Sequence, residues 1–95
     1  MYLHLGQDTV VRTSEIIGIF DMDTSTISKT TREYLTACEK NGHVVNVSME
    51  LPKSFVLCWD EEKSRPTVYI SQISSSTLLK RSGYVDSLSN TGERG

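Results

Sequence analysis

The sequence predicts a small α+β domain: a mostly antiparallel β-sheet with one main helix near residues 30–41 and a short C-terminal helical turn. Three observations predict it. Short β-branched runs bounded by turn residues recur along the chain, each with the length of a strand. One segment alone switches to the three- and four-residue spacing of a helix. The 95 residues, 37% of them hydrophobic, make one core and no more, because single cores commonly organise about 100 to 150 residues. The domain is expected to span residues 1–82. The remainder, "YVDSLSNTGERG" after Gly83, has little to bury and is expected to be a disordered tail over 83–95.

The elements follow in order. "YLHL" and "TVVR" flank "GQD", two extended pieces around a turn whose Gly6 accepts a positive φ at little cost. "EIIGIF" (15–20) has the length of a buried strand and ends at the polar, turn-forming "DMDTST". "TREYLTACEKNG" reads as a helix, with Thr30 and Glu33 at capping-box spacing and Gly42 suited to the left-handed residue past the last turn. Ile27, Thr31, Tyr34, Leu35 and Cys38 make the stripe that faces the sheet. "HVVNVSM" (43–49), "SFVLCW" (54–59) and "TVYISQI" (67–73) are separated by "ELPK" and "DEEKSRP", and read as an antiparallel meander. Val45, Val47 and Met49, then Phe55, Leu57 and Trp59, alternate as a one-sided sheet requires. Pro52 and Pro66 sit where strands begin, a position that tolerates proline. "SSSTLLKRSG" closes the domain as a helical turn, with Leu78 and Leu79 docking and Lys80 and Arg81 in the last turn, where cations suit the helix dipole.

Charge and motif content exclude several functions. Lys and Arg total 10 against 12 Asp and Glu, so no whole-molecule basic field marks this chain and any anion site must be local. By segment the charge is about −3 over 1–23, +1 over 24–59, +1 over 60–82 and −1 in the tail. Cys38 and Cys58 are far apart, without a C-x-x-C and without a histidine at ligand spacing, and read as buried small hydrophobes. The start "MYLHLGQD" has no basic region followed by a long apolar one, and no stretch approaches the ~18 apolar residues of a membrane span. A cytoplasmic protein is expected.

Neither G-x-G-x-x-G nor G-x-x-x-x-G-K-[ST] occurs. His4 and His43 read as polar strand residues, and Asp21 and Asp23 of "DMD" as turn formers, since two carboxylates do not supply the six to eight oxygens calcium takes. No enzyme, cofactor, metal or small-molecule substrate is therefore expected. Two stretches retain anion chemistry. "SSSTLLKR" combines hydroxyls with Lys80 and Arg81, and suits either a phosphate or a helix C-terminus. Lys53, at the mouth of "SFVLCW" and fixed by Pro52, is either a phosphate contact or a solubilising flank.

"MYLHLGQDTVVRTSEIIGIFD", "KSFVLCW" and "VYISQISSSTLLKR" together resemble the RemB branch of the RemA/RemB family of bacterial extracellular matrix regulators, small proteins of sporulating Gram-positive bacteria. The resemblance covers roughly residues 1 to 82. It implies a transcriptional activator of biofilm matrix genes that binds DNA through a small β-rich domain similar to the LytTR type and works as a ring-shaped homo-oligomer. The chain departs from the RemA branch at two places. Where that branch clusters arginines before the strand matched by "SFVLCW", this chain reads "MELPKS" with Lys53 as its one cation, and an arginine before the "IIGIF"-like strand is Glu15 here. A lysine is a compact point charge without the planar fork of arginine, so each contact is weaker.

Two readings stand at this point. In the first, a ring multiplies modest DNA contacts from Lys53, Arg12, Lys80 and Arg81 into useful avidity. In the second, the chain is an oligomeric interaction or scaffold protein that leaves DNA untouched. Both require self-association, which also suits so small a core.

Overall fold

Residues 1–23 and 28–82 are described by the computed structural model. The first elements are strands β1 (Tyr2–Gly6) and β2 (Thr9–Arg12), an antiparallel hairpin with Tyr2 opposite Arg12 and a register shift between His4 and Gly6. Gly6 has φ 121° and Gln7 has φ 48°, so the tight turn rests on the one residue type that accepts such an angle without strain. A single 3-10 turn, Thr13–Glu15, leads into β3 (Ile16–Asp21). Helix α1 (Lys29–Asn41), β4 (Val44–Asn46), β5 (Ser54–Asp60), β6 (Arg65–Ser71) and α2 (Ser75–Ser82) complete the order.

The hairpin is a two-stranded sheet of its own, and the other four strands form a second sheet in the order β3-β5-β6-β4. β5 runs antiparallel to both β3 and β6, with Ser54 opposite Asp21 on one side and Ser71 on the other. β4 does not continue a meander as the sequence suggests. It pairs parallel to β6, Val44 opposite Val68, and lies on the far edge. The helix is the reason: β3 and β4 point the same way, and a parallel return needs a crossover, which α1 supplies. β4 is also shorter than the expected strand over 43–49, so Val47 is buried while Met49 projects into solvent.

The alternation expected of a one-sided sheet does not hold for β5, where five consecutive residues, Ser54 to Cys58, are buried. Phe55 and Leu57 pack with Cys38 and Val68 and, around them, Phe20, Tyr34, Leu35, Val44 and Ile70, beneath α1. Val56 and Cys58 pack on the other face with Leu3, Leu5, Val11, Val47 and Leu78, beneath the hairpin and α2. The central strand is thus covered on both sides, and a doubly covered strand reads as a continuous apolar run. Trp59, expected inside, is 37% exposed, at the end of β5 beyond that cover.

Polar groups tie the layers together. Ser54 Oγ donates to the Ile73 carbonyl (2.7 Å) and Ser71 Oγ to the Leu5 carbonyl (2.8 Å), so two buried hydroxyls fasten the sheet to α2 and to the hairpin. The α1 cap is Ser28, whose Oγ accepts from the Thr31 N–H (3.2 Å), rather than the expected Thr30–Glu33 box. Ser28 has the extended φ −63° and ψ 159° of a cap, whereas Thr30 already lies inside the helix. Gly42 closes it as expected, at φ 73°. Thr31, Tyr34, Leu35 and Cys38 form its inward stripe; Ile27 and the tail at 83–95 lie outside the described residues. α2 is two turns rather than one, with Ser74 Oγ accepting from the Thr77 N–H and Leu78 fully buried.

Candidate nucleic-acid interface

Lys53 stands at the entrance to β5 with its peptide group bonded on both sides. Its N–H donates to the Ser71 carbonyl (2.9 Å), and its carbonyl accepts from the Met22 N–H (3.0 Å). These bonds continue the Asp21–Ser54–Ser71 register by one step, so Lys53 lies between Met22 and Gln72. The side chain is exposed. By strand alternation it falls on the same face as Phe55 and Leu57, the α1 face. A strand end fixed this firmly holds the Cα in place while the ammonium reaches into solvent.

The other three expected cations are elsewhere. Arg12, exposed at the end of β2, lines a cleft with Glu15, Trp59, Asp60, Glu61 and Glu62. That is the far end of β5, roughly 20 Å along the strand from Lys53, and its surroundings are acidic. Lys80 and Arg81 are exposed in the last turn of α2, where their neighbours Leu79 and Ser82 line a groove with Thr13 and Ile16–Phe20. One subunit therefore does not gather the four cations into a single patch.

Sequence reasoning missed a second set of cations. Lys29, Arg32 and Lys40 share the outer surface of α1 with Glu33, Thr36 and Ala37, on the same side of the sheet as Lys53. The 29-32-36-40 spacing was the available signal, although a solvated helix face gives the same pattern. The sequence also hides what accompanies Lys53: Glu50 is exposed on the same loop, and Asp21 and Asp23 are exposed at the end of β3. The local field is mixed.

The remaining reactive groups are structural. Cys38 and Cys58 are both free and buried. Burial, and after it Glu15, pushes the Cys58 thiol up to about 12, and burial followed by Glu39 raises Cys38. Neither is a nucleophile at neutral pH. His4 Nε2 bonds to the Gln7 carbonyl at 2.7 Å across the hairpin turn, and the His43 backbone bridges the Cys38 carbonyl and the Val68 N–H. Among the described residues no cluster of three or more His, Cys, Asp or Glu could hold a metal, and no helix is long and apolar enough to cross a membrane.

Comparison with known proteins bears on the same residues. The family model described as RemA-like, extracellular matrix regulatory protein A-like, matches residues 2–81. Extracellular matrix regulatory protein B of Bacillus subtilis (strain 168) is 40% identical over 86 residues, which cover 90% of this chain and 94% of that protein. The match takes in both faces of the β5 core, the loop that carries Lys53 and the cations of α2. The chain belongs to the RemA-like family of extracellular matrix regulatory proteins.

Proposed function

We propose that this chain is a DNA-binding transcriptional regulator of extracellular matrix (biofilm) genes, working in the cytoplasm as a ring-like homo-oligomer, without a cofactor and without a catalytic step. The name of the Bacillus relative supports the matrix part of this reading. The observation that carries the DNA part is Lys53, an exposed cation whose backbone is hydrogen-bonded to both neighbouring strands. A cation held in place loses little freedom on meeting a phosphate. A lysine contact is weak alone, but copies repeated around a ring act together, and the second and later contacts form at high effective concentration. Arg12, Lys80 and Arg81 act as secondary phosphate contacts. Phosphate contacts position a protein without reading bases, so this set predicts broad rather than sequence-specific affinity.

One observation favours the second reading, an oligomeric interaction protein that leaves DNA alone. The loop before β5 exposes Met49, Glu50 and Leu51 beside its single lysine, which suits a protein surface as well as a phosphate. A DNA shift assay at low salt, repeated as salt rises, separates the two. Binding that falls steeply with salt supports the DNA reading, through counterion release; no shift at any salt supports the scaffold.

A further inference from the structure

Two apolar surfaces of this chain match each other in shape and charge. The first is the loop between β4 and β5, where Met49 is 101% and Leu51 82% exposed. Single exposed hydrophobics are ordinary, but these two share one short loop that is held at its base. The Ser48 hydroxyl bonds to the Gln72 side chain, the Glu50 N–H donates to Ser48 Oγ at 3.1 Å, and Lys53 is fixed between two strands. Met49 and Leu51 therefore project with Glu50 between them.

The second surface is a groove of about 370 Å³ where α2 lies along β3, lined by Ile16, Ile17, Ile19, Phe20 and Leu79 with Thr13 and Ser82 at its ends. β3 pairs only with β5, so its outer edge carries unpaired backbone groups, and Ile17 is 45% exposed. Lys80 and Arg81 are exposed next to Leu79. An apolar groove beside two cations is the complement of an apolar loop with one carboxylate.

We propose that the Met49–Leu51 loop of one copy seats in the β3–α2 groove of a second copy, with Met49 and Leu51 against Ile17, Ile19 and Leu79 and Glu50 facing Lys80 and Arg81. The inference rests on the proposed self-association and deepens it by naming the contact. The loop runs from the edge strand β4, and the groove lies on the opposite edge at β3. Each copy therefore gives a loop on one side and a groove on the other. Such a head-to-tail contact builds a closed ring or an open filament, never an isolated dimer. Lys53, two residues past Leu51, arrives beside the next copy's Lys80 and Arg81. The junction joins cations that one subunit keeps apart.

The test is the double variant Met49→Glu/Leu51→Glu, whose sites are exposed in the subunit and leave its core intact. Light scattering should show disassembly while the circular dichroism spectrum stays that of the wild type. Each lost side chain should raise the concentration needed for assembly by about tenfold to a hundredfold. Glu50→Lys should also weaken assembly, and adding Arg81→Glu should restore it. In an equimolar mixture of Leu51→Cys and Ile17→Cys chains, a short bismaleimide should link the two, with Cys38 and Cys58 too buried to compete. An unchanged oligomer in the double variant would overturn this contact while leaving self-association standing. A wild-type chain that stays monomeric at all concentrations would overturn both. Linkage of Ile17→Cys to Tyr84→Cys within one chain would assign the groove to the chain's own last residues and overturn the proposal.

Discussion

Single residues set the chemistry that the protein does without. Cys58 ionises at about 12 because burial, and secondarily Glu15, disfavours the thiolate, and Tyr69 is raised chiefly by burial as well. Both thiols should resist alkylation by iodoacetamide at pH 8 and react only on unfolding. The folded state holds the Cys58 proton more tightly than the unfolded chain, whose thiol ionises near its ordinary 9.0. Stability should therefore be unaffected by this group below about pH 9 and fall as pH rises towards 12, readable by urea titration. The buried state of both cysteines was legible, since neither had partners at ligand or redox spacing. Lys53 was legible as a candidate because Pro52 and an apolar strand bracket it. Its acidic company was not: Asp21 and Asp23 reach the end of β5 only through the β3–β5 register, a non-local fact.

At the scale of elements, local signals were read well and long-range pairing poorly. The hairpin, β3, the helix stripe and the Gly42 cap all follow from short-range chemistry. The α1 cap was misplaced because Ser28 and Thr30 both have a hydroxyl three residues before a polar partner, and only the backbone decides between them. Ser28→Ala should lower stability by about 1 kcal/mol, with Thr30→Ala costing less. β4 was assigned to a meander because its sequence alternates like an antiparallel strand. Its place beside β6 depends on α1 spanning the sheet, which no window of a few residues contains. Two-faced burial of β5 likewise shows only as an apolar run, and such a run does not name its neighbours. Leu78, fully buried where α2 meets the hairpin, should cost about 2 to 5 kcal/mol when replaced by Ala. Gly18 is tight for a different reason: a Cβ there would lie 2.5 Å from the Phe20 ring, which stacks on Phe55 at 5.0 Å. Gly18→Ala should displace that ring and destabilise by about 1 to 3 kcal/mol in thermal or urea unfolding.

The whole molecule is a thin three-layer unit: α1, a four-stranded sheet, and a hairpin with α2. Open edges at β3 and β4 and exposed Met49 and Leu51 are surfaces that assembly would cover, so the midpoint of thermal unfolding should rise with protein concentration. Assembly also decides whether weak cations matter, because one subunit scatters Lys53, Arg12, Lys80 and Arg81 over different faces. The central claim is that Lys53, repeated through a homo-oligomer, neutralises DNA phosphates. The most direct measurement is fluorescence anisotropy of duplex DNA with wild-type protein and with Lys53→Ala, over a range of salt concentrations, with oligomer size followed by light scattering in the same buffers. The account predicts an intact oligomer whose affinity drops on substitution for every DNA sequence alike, with a flatter dependence of log affinity on log salt as fewer counterions are released. Equal affinity and equal slope in an intact oligomer would contradict it.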